Sequence, residues 1–138
     1  MRIVSRTARS SREQQREKTM RKREAAGTLA AAFPRAESVR VHLQFVSNDG
    51  RAPSPRTHAL YDSAQAYFEF ACPHGDCDAG IDLNDAANAL LRDGRAEGAG
   101  TLYCPGTRIG EGGTRRRCNQ RVDDWIAARY RPVTRAAS

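Results

Sequence analysis

Long hydrophobic runs are missing from this 138-residue chain, and no stretch approaches the ~20 apolar residues that a membrane-spanning helix needs. No leader with an apolar middle is visible either, because Met1-Arg-Ile-Val-Ser-Arg leads into more polar residues. A reducing, cytoplasmic setting is therefore expected, with no membrane partner. Aromatic residues are scarce at 7%, with a single tryptophan. A core built from so little is small, and small cores usually need a disulfide or a metal to hold them.

Recognisable catalytic constellations are missing too. His42, His58 and His74 are scattered, with no serine or acid beside them in a known arrangement. The glycines of Gly110-Glu-Gly-Gly113 open no helix, so they do not form a phosphate-binding loop. Asp123-Asp124 reads as surface charge rather than a catalytic dyad. The expectation is a protein that is not an enzyme and takes no small-molecule substrate.

Cysteine is absent before Cys72, yet four follow: Cys72, Cys77, Cys104 and Cys118. Phe70-Ala-Cys72-Pro-His-Gly runs from an apolar strand into a tight turn, and Leu102-Tyr-Cys104-Pro-Gly repeats the arrangement. A thiolate at a strand end, followed by Pro and Gly, suits a turn whose backbone amides point at a metal-bound sulfur. In a reducing compartment four such cysteines favour one structural Zn²⁺ over two disulfides. The first pair is spaced by four residues and the second by thirteen, wider than a paired Cys-x₂-Cys site. His74 stands inside the first turn as an alternative to Cys77, although a loop histidine is more often solvated than ligating. The spacing does not fit a thioredoxin-type Cys-x-x-Cys; a zinc-coupled thiol switch is the remaining redox reading.

The formal charge of +7 is unevenly placed. Residues 1–36 hold ten Lys/Arg against three Glu, while residues 37–138 hold thirteen of each sign. The basicity belongs to an N-terminal arm: a disordered lead, a capping box at Ser10-Ser-Arg-Glu13, and a helix from Arg12 to about Phe33 that Pro34 stops. With only Met20, Leu29 and Phe33 as large apolar residues, this helix reads as solvated. Arg12, Arg16, Lys18, Arg21, Lys22 and Arg23 on the arm, with Arg115, Arg116 and Arg117 beside the last cysteine, are the candidate nucleic-acid contacts.

Periodicity outlines the rest. Ser38 to Val46 alternates as a half-buried strand with Val39, Val41, Leu43 and Phe45 inward, and Ser47-Asn-Asp-Gly50 is a turn. Arg51 to Arg56 reads as a proline-rich loop, and Gln65 to Cys72 as the second main strand. Leu83, Ala86, Ala87, Leu90 and Leu91 mark a helix begun by Asp82 and ended by Gly94. Gly98 to Cys104 reads as a third strand, and Thr107 to Arg117 as a Gly- and Arg-rich loop. Asn119 to Arg131 fits both periods, with the strand favoured because it sets Cys104 and Cys118 on neighbouring strands.

Together these give an α+β fold: a small antiparallel sheet, one packed helix and a four-cysteine zinc site over residues 37–131, between a basic arm at 1–36 and a disordered tail at 132–138. The cysteine turns beside strands resemble zinc ribbons over residues 65–131. Phe68-Glu-Phe70-Ala-Cys72-Pro, Cys77, Asp82-Leu83, Cys104-Pro-Gly106 and Cys118 also resemble small bacterial proteins of uncharacterised family with a Cys-bound metal. The helix between the cysteine pairs departs from a minimal ribbon. Since zinc ribbons often serve transcription, translation and ribosomes, the resemblance implies a nucleic-acid or ribonucleoprotein accessory. The alternative partner is a protein, docked on the sheet face with Tyr67 or Trp125 as anchors.

Overall fold

The computed structural model describes residues 11–132. The expected disordered lead, the Ser10 cap, the side chain of Arg12 and the tail after Pro132 lie outside the described residues. The fold is α+β. Its centre is a four-stranded antiparallel sheet whose strands lie in the order β2 (Arg56–Leu60), β1 (Ala36–Val46), β8 (Arg121–Tyr130) and β5 (Glu97–Tyr103). In β1 the alternating Val39, Val41, Leu43 and Phe45 are all buried, as their period-2 spacing requires. The segment that fits both periods is a strand, β8, and it pairs with β1 along almost its whole length. Val122, Ile126 and Ala128 point to the same inner face, where each large buried apolar side chain contributes about 1.5–3 kcal/mol. Strand β5 completes one edge.

Helix α3, Asn84–Arg92, covers the inner face with Ala87, Leu90 and Leu91. Asp82 does not begin the helix; it ends strand β4, Gly80–Asp82, and its carboxylate accepts the amide of Asn84 at 2.9 Å. Gly94 ends the helix as expected, at φ +66°. Its amide reaches Leu91 O at 3.2 Å while that of Arg95 reaches Leu90 O at 3.0 Å, a Schellman pair that only a left-handed residue permits without strain.

Three expectations are corrected. The second strand of the main sheet is β2, which begins at the last residue of the proline-rich loop and pairs with Val39–Leu43. The stretch from Gln65 to Cys72 yields only strand β3, Glu69–Ala71, which forms a separate two-stranded ribbon with β4. The segment Thr107 to Arg117 is a hairpin rather than a loop: β6, Thr107–Ile109, pairs with β7, Arg115–Arg117, across a 3₁₀ turn at Glu111–Gly113.

The N-terminal helix is also shorter than its composition suggests. Helix α1 is Ser11–Ala25, and a second short helix, α2 (Leu29–Ala32), restarts after Gly27. The Gln65 amide explains the break, since its Nε2 donates to the carbonyls of Arg23, Glu24 and Ala26 at 3.0, 3.2 and 2.7 Å. Thr28 then caps α2 by accepting the amide of Ala31. Helix α1 is docked rather than wholly solvated: Thr19 donates to Glu69 Oε2 at 3.0 Å, and the Arg23 guanidinium lies 5.5 Å from the centre of the Tyr67 ring. Leu29 and Ala36 are fully buried, so the core reaches into the segment read as an arm.

Candidate metal centre

Four elements deliver the cysteines to one place. Cys72 follows β3, Cys77 closes the next turn, Cys104 follows β5, and Cys118 lies between β7 and β8. Their ligand atoms all fall within 4.8 Å of one another, and the first three cysteines are buried. Cys72 Sγ stands 3.7 Å from Cys118 Sγ, and Cys77 Sγ stands 3.6 Å from Cys104 Sγ. A tetrahedron of sulfurs at ~2.3 Å from a central ion has edges of about 3.8 Å, so the spacing fits four thiolates around one metal ion.

The backbone fits that chemistry as well. Each sulfur accepts a hydrogen bond from the amide two residues on: His74 for Cys72, Ala79 for Cys77, Gly106 for Cys104 and Gln120 for Cys118. Amides aimed at sulfur stabilise the thiolate. The two later turns also clasp each other, with the Cys104 amide donating to Gln120 O at 2.9 Å and the Cys118 amide to Gly106 O at 2.8 Å. Asn119 takes the left-handed φ of +47° that this turn demands, a conformation asparagine tolerates.

Charge in so tight a cluster is strongly coupled. The nearby Cys104 thiol holds Cys72 down to about 5 against the opposing effect of burial. Cys104 is driven up by the neighbouring Cys72 sulfur and by burial, Cys77 is raised by burial, and Cys118 is pushed up to about 12 by burial and the Cys72 charge. Burial and the Cys72 thiolate together suppress ionisation of the other three, and a cation bound among them would offset both effects.

The surrounding side chains brace the turns. His74, the alternative ligand, donates from Nε2 to Gln120 Oε1 at 2.7 Å instead. Buried Gln120 in turn donates to Val46 O and Arg121 O, both at 3.0 Å, which ties the first cysteine turn to the main sheet. Arg108 pairs with Asp76 at 3.0 Å, and the Thr107 amide donates to Asp78 Oδ1 at 2.7 Å, which fixes the β6–β7 hairpin to the same turn. Gln120, Asp76 and Arg108 are not recognisable from the sequence, because polar bracing leaves no periodic mark.

The candidate nucleic-acid contacts are divided between two places. Arg16, Lys18, Arg21 and Lys22 lie on α1 and are all exposed, whereas Arg23 is half-buried and donates to Glu69 O. Lys18 and Arg21 line a depression against Pro105, Gly106 and Thr107, so the helix reaches the metal centre from one side. Arg115, Arg116 and Arg117 are exposed on β7 with no ion pair among the described residues. Arg116 and Arg117 line a different depression, with Cys118. Of the proposed anchors, Trp125 is 38% exposed on the outer sheet face, while Tyr67 is engaged, donating to Glu69 Oε1 at 2.7 Å.

Comparison with protein-family models, with curated proteins and with solved structures returned no match. Among the described residues no helix is long and apolar enough to cross a membrane.

Proposed function

We propose that the chain is a structural-zinc protein whose cationic surface binds nucleic acid as an accessory of RNA or ribonucleoprotein. The cluster of four mutually adjacent sulfurs, each facing an amide, carries the zinc part of this reading. Four thiolates select a thiophilic ion, and zinc is the common one for closed tetrahedral sulfur sites. Cys72, Cys77, Cys104 and Cys118 would hold it, contributing folding free energy and leaving no open position for a reacting water, so the centre is non-catalytic.

The nucleic-acid part rests on the arginines at the centre's edge, which have no ion pair among the described residues, and on the cations of α1. Guanidinium groups without carboxylate partners are free to neutralise phosphates, releasing counterions and giving salt-dependent affinity. The test is RNA binding across a salt series, comparing the natural chain with one carrying Arg16, Lys18, Arg21, Arg115, Arg116 and Arg117 all changed to Gln. The expected result is weaker binding and a shallower salt slope in the variant; identical affinity and slope would contradict the reading. In that case exposed Trp125 favours the second reading, a protein partner on the outer sheet face.

A further inference from the structure

A groove of about 720 Å³ opens between the loop after β1, the β6–β7 hairpin and the turn that carries Cys118. Five arginines from four separate segments line it: Arg51, Arg108, Arg116, Arg117 and Arg121. Two of them are neutralised, Arg108 by Asp76 at 3.0 Å and Arg121 by Asp123 at 3.1 Å. The guanidinium groups of Arg51, Arg116 and Arg117 have no carboxylate partner among the described residues. The one acid lining the groove among the described residues, Asp49, uses Oδ1 to accept the Arg51 backbone amide at 2.9 Å. A concave surface with an excess of one sign focuses its field, and guanidinium forks match phosphate oxygens.

The groove also holds an aromatic ring in the open. Tyr103, the last residue of β5, is 58% exposed and stands opposite Arg121 across the β5–β8 pair. Among the described residues no ring or cation is stacked on it. An exposed ring beside several phosphate-sized cationic positions is how proteins hold unpaired bases: phosphates lie along the cations and a base stacks on the ring. A duplex offers its phosphates but keeps its base faces stacked inside.

We propose that this groove binds single-stranded nucleic acid, with phosphates on Arg51, Arg116 and Arg117 and one base stacked on Tyr103. The inference rests on the nucleic-acid reading above and assigns it a place and a strand state. The groove is distinct from the depression that Lys18 and Arg21 line.

The experiment measures binding of the full chain to a labelled single strand and to a duplex of equal length, at several salt concentrations. Tyr103→Ala is expected to weaken single-strand binding by about fivefold or more, leaving duplex binding and the salt slope unchanged. Tyr103→Phe is expected to retain single-strand affinity, because it keeps the ring. Changing Arg51, Arg116 and Arg117 together to Gln should lower the single-strand salt slope by roughly 2, at about 0.7 per phosphate contact. If Tyr103→Ala binds the single strand as tightly as the natural chain, or if the duplex binds equally well, the groove assignment falls while nucleic-acid binding stands. If neither nucleic acid binds at low salt, the groove assignment and the underlying reading fall together.

Discussion

A side chain on Gly106 would collide with Cys77 Sγ and bring its Cβ to 2.8 Å from that of Ala79. This glycine also donates its amide to Cys104 and its carbonyl accepts from Cys118, so one residue touches three of the four cysteines. Gly106→Ala is therefore expected to bind metal more weakly than the natural chain and to lose a large part of the roughly 10 kcal/mol that a structural ion contributes. Metal content and thermal unfolding of the variant check this, and a variant with full metal would contradict it. A second residue-scale effect sits at Asp124, which is not the surface charge its sequence suggests: it lies inside the sheet face opposite Leu43, only 8% exposed. Burial raises its pKa, with the neighbouring Asp123 charge adding to the effect. A carboxyl whose folded pKa is raised binds its proton more tightly in the fold than in the unfolded chain. Stability consequently falls as pH rises above the unfolded value of 3.8, and the penalty is complete above the folded value. Asp124→Asn should raise the unfolding temperature at neutral pH and lose that advantage below about pH 3.8. An unchanged difference across the whole range would count against it.

Among the elements, those with a strong apolar period were legible from the residues alone. Strand β1 announces itself by four inward residues at period 2, and α3 by apolar positions three and four apart. Strand β2 carries one large apolar residue, Leu60, soon after two prolines, so its sequence resembles a loop; pairing with β1 makes it a strand. The ribbon of β3 and β4 and the hairpin of β6 and β7 are three residues a strand, too short for any period to show. Helix α1 looked freestanding because its docking is polar, through Thr19, Arg23 and the Gln65 amide, and leaves no apolar stripe. The cysteine turns were legible for the opposite reason: Cys-Pro-Gly and Cys-Pro-His-Gly are chemically unusual strings. At the end of α3, Gly94 sits at φ +66° with open space where a Cβ would go. Gly94→Ala should then cost about 1–2 kcal/mol, all of it backbone strain. A denaturant midpoint that falls with unchanged slope would register this, whereas an unchanged midpoint would refute it.

At the scale of the whole molecule, the cysteines join parts that strand pairing leaves in separate sheets. Cys72 and Cys77 belong to the β3–β4 ribbon and its turn, Cys104 follows β5 of the main sheet, and Cys118 follows β7 of the hairpin. A single ion at their centre would make one unit of ribbon, hairpin and sheet in a chain with few aromatics for its core. The uneven charge takes on a spatial meaning in the same frame. Cations of α1 and of β7 flank the centre, and three arginines without a carboxylate partner among the described residues line the groove beside Tyr103. The most direct test is the zinc content of the full chain purified under reducing conditions, measured together with its unfolding before and after a strong chelator. One equivalent of zinc, with cooperative unfolding lost on chelation, is the expected result. Less than half an equivalent in a chain that still unfolds cooperatively would contradict the metal centre itself.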